Sequence, residues 1–231
     1  MERVHYGMPF PLRAPSLDRS RLGRHLRTPA HPHRRHRQQR CPDQRPGRSL
    51  DRSPSPRLRR ENRIRTIHSS LAIKNNTLTL DQVTAVLDGK RVLAPPMDIR
   101  EVQNAYEAYK ALSSLDPTSI DNLLRAHGFM MDGLVKDAGR FRNGNVGVFD
   151  DDQLVHPGTP AHYVPEVIAQ LFDWLRTSSQ HPLVKSCTSH YELEFIHPFS
   201  DGNDRMGRLW NSLILREWHP LFAWLPVESL V

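Results

Sequence analysis

The amino-acid sequence predicts an all-α fold that carries one short β-hairpin. Apolar residues recur at spacings of three and four through most of residues 61–218, which is the period of amphipathic helices. Residues 141–158 break this period with an NGN turn signal, alternating valines and a DDD turn, the pattern of a hairpin. The expected fold is a compact helical domain of about 170 residues with a β-hairpin flap.

The helices are predicted from periodicity and from their start and stop signals. The clearest covers residues 164–179, whose apolar side chains share one face. Thr79 is expected to be the N-cap of a helix that Gly89 ends. Another helix is expected to start at Asp116 and Pro117 and to run to about 129. The remaining helices are expected at 61–73, 98–115, 182–195 and 204–218.

Residues 1–58 have a different character and are expected to form a disordered N-terminal segment. This segment is rich in arginine, proline and histidine, and its few aliphatic residues cannot offset the entropy lost on ordering. Three interpretations stay open. The segment is a basic interaction tail, a weak metal-binding tract at His31, His33 and His36, or the out-of-frame translation of a GC-rich gene, which yields arginine without lysine.

The charge distribution argues against a nucleic-acid-binding domain. The whole chain has a net charge of +7 and a pI near 9.8, values typical of nucleic-acid partners. However, residues 1–60 hold 16 arginines and 4 acidic residues, which leaves residues 61–231 with a net charge of −5. The predicted domain, 59–231, is therefore mildly acidic.

Cysteine usage and hydropathy predict a cytoplasmic protein without membrane association. Cys41 and Cys187 lie in regions of different character and do not indicate a disulfide framework. No apolar run approaches the roughly 18 residues of a membrane span, and the N-terminus lacks a secretory signal. The final residues, WLPVESLV, read as the lead into another helix, so we expect a fragment or a decaying gene copy.

Residues 197–208, HPFSDGNDRMGR, carry the chemistry that the sequence predicts. They join the end of one apolar helix to the start of another, where unpaired N–H groups and the helix dipole favour an anion. Gly202 allows close approach of the backbone to a phosphate. Arg205 and Arg208, three residues apart, are expected to project toward the same anion.

Two further side chains of this segment suit catalysis. His197 has a side chain of near-neutral pKa that can take a proton from an attacking hydroxyl. Asp201 offers a hard oxygen ligand for Mg²⁺. Each feature has an ordinary structural alternative: a histidine at a helix end, a D-G-N turn, a pair of solvated arginines. Their conjunction within twelve residues favours a phosphate site.

These residues resemble the signature of the Fic (Fic/Doc) family, H-x-F-x-[D/E]-G-N-G-R-x-x-R. The matching positions are His197, Phe199, Asp201, Gly202, Asn203, Arg205 and Arg208. The resemblance extends over about residues 57–231. It implies a protein adenylyltransferase, which moves AMP from ATP onto Ser, Thr or Tyr hydroxyls of target proteins.

The resemblance also implies roles for individual residues. His197 would be the catalytic base, and Asp201 would hold Mg²⁺ on the ATP phosphates. The phosphates would be bound by Gly202, Asn203, Arg205 and Arg208. The hairpin, residues 141–157, would dock the protein target by strand addition. A homodimer is left open.

The first departure from the signature is Asp204, which stands where the family has glycine. Its carboxylate would lie among donors meant for an anion. Like unit charges about 4 Å apart repel by about 4 kcal/mol at an effective dielectric near 20, which is roughly a thousandfold in binding. We therefore expect Asp204 to impair ATP binding while leaving the fold intact.

The second departure lies in residues 59–90, where the family carries an inhibitory helix with the pattern [S/T]-x-x-x-E-[G/N]. Ser70 and Asn75 match, but Lys74 replaces the glutamate that would pair with Arg208. The resemblance therefore implies that self-inhibition is lost, and Lys74 is either a phosphate ligand or an ordinary exposed lysine. The alternative to an active enzyme is a catalytically inactive Fic scaffold that binds proteins.

Overall fold

A computed structural model of the chain describes residues 3–5, 55–150, 153–156 and 158–226. The chain divides into two units, residues 1–6 with 53–231 and residues 7–52, the latter outside the described ranges. The described α-helices are α1 (Pro56–Ala72), α2 (Leu80–Leu87), α3 (Pro96–Ala111), α4 (Ile120–Met131), α5 (Val164–Thr177), α6 (Pro182–Ile196) and α7 (Asn203–Trp218). The described strands are β1 (Arg3–His5), β2 (Gly147–Asp150) and β3 (Gln153–His156).

The apolar core forms around α7. Its side chains Leu209, Trp210 and Leu213 are completely buried, and the helix packs against α6, α4 and α1. The Trp210 ring contacts Phe172 of α5, and its indole N–H donates to the carbonyl of Pro117 at 3.1 Å. Since the polar atom of this large side chain is satisfied, its whole apolar area contributes to the core. Among the described helices, none combines the length and apolar character needed to cross a bilayer.

The start of α2 confirms the cap predicted from the sequence. The hydroxyl of Thr79 accepts from the backbone N–H of Gln82 at 3.3 Å, and the Gln82 side chain accepts from the N–H of Thr79 at 2.9 Å. This reciprocal pair is a capping box, which satisfies two N–H groups that the helix itself leaves unpaired. The helix ends next to Gly89, whose φ is 71°.

Two predicted helix starts were wrong by several residues. Helix α1 begins at Pro56 rather than at 61, because Ser55 caps it by accepting from the N–H of Leu58. The last residues of the segment predicted to be disordered are therefore helical. Helix α4 begins at Ile120 rather than at 117, because its N-cap is Ser119.

The hairpin lies inside the predicted range. Strands β2 and β3 pair antiparallel, with Phe149 opposite Leu154. Strand β1 pairs in parallel with the other edge of β2, which corrects the expectation that all of residues 1–58 are disordered. An unpaired edge presents free N–H and C=O groups that a third strand satisfies. Residues 6–54, which include the histidine tract, lie outside the described residues.

The connection between α6 and α7 reverses the chain through two left-handed residues. His197 has φ 52° and Gly202 has φ 82°. A Cβ atom added to Gly202 would lie 2.7 Å from the sulfur of Met131, a side chain that is itself completely buried. Glycine is therefore required at this position both by the backbone conformation and by the lack of space.

We predict that Gly202→Ala destabilises the protein more than Gly89→Ala does. Both residues have positive φ, but a Cβ at Gly89 meets nothing within 4 Å. We expect Gly89→Ala to cost about 1 kcal/mol of unfolding free energy, and Gly202→Ala about 2 to 4 kcal/mol, because overpacking adds to backbone strain. Urea denaturation measures both; equal losses would show that the contact with Met131 is unimportant.

Candidate active site

His197 is buried at the C-terminal end of α6. His197 is 5% exposed. Its backbone N–H donates to the carbonyl of Leu193 at 3.0 Å, which closes the last turn of the helix. Burial lowers the pKa of the imidazole below its usual value, while the nearby carboxylate of Asp204 acts in the opposite direction. The imidazole is therefore neutral near pH 7, the protonation state that a general base requires.

Arg142 holds the backbone around His197 and was missed by the sequence analysis. Its guanidinium Nε donates to the carbonyl of His197 at 2.7 Å, and Nη1 donates to the carbonyl of Gly144 at 2.7 Å. The backbone N–H of Arg142 donates to the carbonyl of Pro198 at 3.0 Å. Arg142 is 3% exposed, and this burial lowers its pKa. Arg142 therefore connects the segment before the hairpin to the loop of residues 197–202.

Phe199 and Asn203 fix the shape of the loop. The Asn203 side chain accepts from the N–H of Phe199 at 2.9 Å and donates to its carbonyl at 2.9 Å. The ring of Phe199 is completely buried and stacks on His127 with a centroid distance of 3.7 Å. The side chain of Asn203 therefore organises the loop, and its expected role in phosphate binding stays a prediction.

His127 supports the same loop from α4. Its Nδ1 accepts from the N–H of Gly139 at 2.9 Å, so Nε2 carries the proton and donates to the carbonyl of Asp201 at 3.1 Å. Burial lowers the pKa of His127 to about 4. The ring is therefore neutral and acts as a fixed donor to the loop backbone. An isolated histidine on a helix carries no sequence signal that would reveal this role.

Asp201 and Gly202 immediately precede the first residue of α7. The Asp201 carboxylate accepts from the N–H of Gly202 at 2.6 Å, and its side chain is 49% exposed. Gly202 is the N-cap of α7 and has no side chain to accept from the first N–H groups of the helix. No group of three metal-ligating side chains occurs within the described residues. One half-exposed carboxylate fits Mg²⁺ when substrate phosphates and water supply the other ligands.

Arg205 and Arg208 have different partners in the structure, and their expected contact with a common anion stays a prediction. Arg205 is buried and donates to Glu101 of α3 at 3.0 Å, and it lies 3.5 Å from Asp201. Arg208 donates to the hydroxyl and the carbonyl of Ser70 at 2.9 and 3.0 Å. Arg205 is thus held by two carboxylates and Arg208 by Ser70, since a buried charge without partners is costly.

The end of α1 also contacts the start of α7. The Lys74 ammonium lies 2.9 Å from the carboxylate of Asp204, whose side chain is 7% exposed. Asn75 is exposed and has φ 64°, a conformation that asparagine tolerates better than most residues. The sequence analysis treated Lys74 and Asp204 as separate departures from the signature. The structure joins them in one ion pair.

Glu101 is a third residue that sequence reasoning missed, after Arg142 and His127. One carboxylate oxygen accepts from Arg205, and the other accepts from the Asn76 side chain at 2.8 Å. The Asn76 amide also donates to the carbonyl of Asp98. Glu101 therefore links the turn after α1 to the motif helix. Its position on the polar side of a predicted helix is typical of a solvated surface residue, so no pattern distinguishes it.

One of the described cavities lies outside this site. It has a volume of about 490 Å³ and lies among Arg59, Arg63, Tyr106, Arg216 and Trp224, with no motif residue in its wall. A concave cavity of this kind can hold a small ligand. The loop at 197–202 carries the histidine, the carboxylate and the uncapped helix start, so it stays the candidate for the catalytic chemistry.

The fold and the site together define a helical protein in which a short loop joins a buried histidine to a helix start without a side-chain cap. Residues 117–215 match the model of the Fic/DOC family. The similar proteins include a Fic family protein from Desulfovibrio desulfuricans G20, a solved structure with 60% identity and a TM-score of 0.73. The match covers 76% of this chain and 54% of that one.

Two curated relatives of this chain also carry the name Fic. "Protein adenylyltransferase fic-1" of Caenorhabditis elegans is 33% identical over 187 residues, 75% of this chain and 35% of the relative. "Protein adenylyltransferase Fic" of Nematostella vectensis is 30% identical over 179 residues, 72% of this chain and 41% of the relative. The chain therefore carries a Fic/DOC-family domain, and it spans less than half the length of these two curated relatives.

We predict that His127 makes the protein acid-labile. The unfolded state takes up a proton near pH 6.5, whereas folded His127 resists protonation until about pH 4. Its contribution is therefore present above pH 6.5 and is lost as the pH falls toward 4, by up to roughly 3 kcal/mol. Unfolding free energies measured between pH 7 and pH 4 should fall less steeply in His127→Gln. The exposed His162→Gln should behave as the unmodified protein; equal slopes for all three would refute the assignment.

Proposed function

We propose that this domain transfers AMP from ATP to hydroxyl groups of proteins. The observation that carries the proposal is the neutral, buried imidazole of His197 next to the uncapped start of α7. The Fic/DOC-family domain and the printed names of the two relatives, both protein adenylyltransferases, support the same activity.

In the proposed reaction, His197 takes the proton from a Ser, Thr or Tyr hydroxyl as that oxygen attacks the α-phosphorus of ATP. A new bond forms between the hydroxyl oxygen and the α-phosphorus. The bond between the α-phosphorus and the oxygen that bridges it to the β-phosphorus breaks, and pyrophosphate leaves. The low pKa that burial imposes on His197 keeps it able to accept the proton. Such a reaction depends mainly on positioning and on charge stabilisation.

The phosphates would lie at the start of α7. The backbone N–H groups of the first turn favour an anion there, and Gly202 has no side chain that would cap them. Arg205 and Arg208 flank this turn; for either to contact a phosphate directly, it must exchange a present partner, Glu101 or Ser70. Mg²⁺ held by Asp201 would neutralise charge on the phosphates.

The hairpin is proposed to dock the target protein by strand addition. Strand β1 of the same chain lies in parallel on the edge of β2. This pairing supports the proposal in that the edge of β2 accepts an extended segment; a target strand at this edge would take the place of β1. A cytoplasmic location and the bound Mg²⁺ stay predictions.

A second candidate function is an inactive scaffold that binds proteins through the hairpin. The specific observation in its favour is the buried carboxylate of Asp204 at the start of α7. If this carboxylate excludes ATP, only the protein-binding surface remains. The two candidates differ in ATP binding and in transfer of label.

We predict that His197→Ala abolishes labelling of protein by ATP that carries the label on its α-phosphate. Loss of a general base lowers the rate by at least about a hundredfold. His162→Ala, which changes an exposed histidine, should label normally. Label carried on the γ-phosphate should not transfer to protein. Undiminished α-label transfer by His197→Ala would remove the histidine from the mechanism, and absence of label from the folded, unmodified chain would favour the scaffold.

We predict that Asp204→Gly tightens the binding of ATP with Mg²⁺. The substitution removes a negative charge from the anion site, and full repulsion would be worth about a thousandfold. Because Lys74 already offsets part of this charge, we expect a gain of at least about tenfold by isothermal titration calorimetry. Unchanged affinity would show that Asp204 does not oppose the nucleotide.

A further inference from the structure

We propose that Lys74 is a ligand for the polyphosphate of the nucleotide, and that in the free protein Asp204 occupies it in place of phosphate. The inference rests on the proposed function only for the class of ligand, a nucleoside triphosphate. It assigns Lys74 a direct role in binding rather than in inhibition.

The first argument is the position of the ammonium group. It lies 2.9 Å from the carboxylate of Asp204, the second residue of α7, and the two side chains are 30% and 7% exposed. The first turn of a helix favours negative charge through its N–H groups and its dipole. Lys74 is therefore already paired with an anion at the place where the phosphates would lie.

The second argument is that the fold fixes the turn that carries Lys74. The N–H of Lys74 donates to the carbonyl of Leu71 at 2.9 Å, and the N–H of Asn75 donates to the carbonyl of Ala72 at 3.0 Å. The next residue, Asn76, donates to Glu101 at 2.8 Å. Hydrogen bonds on both sides of Lys74 hold its backbone beside α7, so the ammonium approaches the helix start without rearrangement of the chain.

The third argument is the surplus of donors around this helix start. Arg205 is 3% exposed, and its Nε has no hydrogen-bond partner among the described residues. Gly202 cannot cap the helix with a side chain. A buried donor without a partner costs free energy, and an acceptor-rich ligand would satisfy it. Phosphate oxygens are acceptors of this kind.

The charges then predict how the pair responds to the ligand. A polyphosphate chain carries several negative charges, so it competes with the single carboxylate of Asp204 for the ammonium. Neutralising Asp204 frees Lys74 for the ligand and strengthens binding. Neutralising Lys74 removes a ligand group and leaves the carboxylate facing the phosphates. The two substitutions should therefore change affinity in opposite directions.

The experiment measures ATP–Mg²⁺ affinity by calorimetry in the full chain. The variants are Lys74→Met, Asp204→Asn and the double variant; the matched control is Lys90→Met, whose side chain is 70% exposed. We expect Asp204→Asn to tighten binding and Lys74→Met to weaken it. The decisive comparison is within the Asp204→Asn background, where Lys74→Met should weaken binding about tenfold or more. Thermal unfolding verifies that each variant is folded.

Other results would overturn the inference. If Lys74→Met has no effect in the Asp204→Asn background, the lysine only neutralises Asp204. If Lys74→Met tightens binding, the lysine obstructs the site. Inorganic triphosphate should show the same dependence on Lys74 as ATP, whereas any binding of adenosine should be insensitive to it. A dependence seen with adenosine alone would place Lys74 away from the phosphates.

Failure of this inference is distinguishable from failure of the proposed function. If label from ATP transfers to protein in a His197-dependent manner while Lys74→Met leaves affinity unchanged, the function stands and the inference fails. If ATP binds in a Lys74-dependent manner but no label transfers, the inference stands and the transfer activity fails. If neither the unmodified chain nor Asp204→Asn binds ATP, both are refuted.

Discussion

The buried polar junction between α6 and α7 is the constraint on which the site depends. His197, Asn203 and Arg205 are each at most 5% exposed, so their polar atoms must find partners inside the protein. The Asn203 amide closes the loop on Phe199, Arg142 binds the carbonyl of His197, and Glu101 binds Arg205. This internal satisfaction holds a left-handed histidine beside a helix start. Loss of one partner would leave a buried polar group without its hydrogen bond, which costs free energy.

The ion pair between Lys74 and Asp204 belongs to the same constraint. A carboxylate that is 7% exposed at the start of α7 is tolerated because the helix dipole and a lysine both stabilise it. We propose that the pair also determines how the site binds an anion from solution. The lysine that stabilises Asp204 in the free protein would then be a ligand for the phosphates.

Local patterns predicted the elements well where the deciding interactions are local. The capping box at Thr79, the hairpin around β2 and β3, and the amphipathic face of α5 each follow from residues close in sequence. The start of α4 was misplaced because Pro117 is also a helix-start signal, and the competing cap at Ser119 won. The motif also predicted that Asp201 lies in a short loop between two helices, as it does between α6 and α7.

The sequence alone determined the helical class, the motif helix and the residue types available for phosphate chemistry, because these depend on periodicity and on spacing within twelve residues. Only the tertiary structure decided which partners these side chains have. Arg142, Glu101 and His127 act across 55, 104 and 74 positions of the chain. The partner of Lys74 was decided in the same way, since contacts between helices distant in sequence leave no periodic trace.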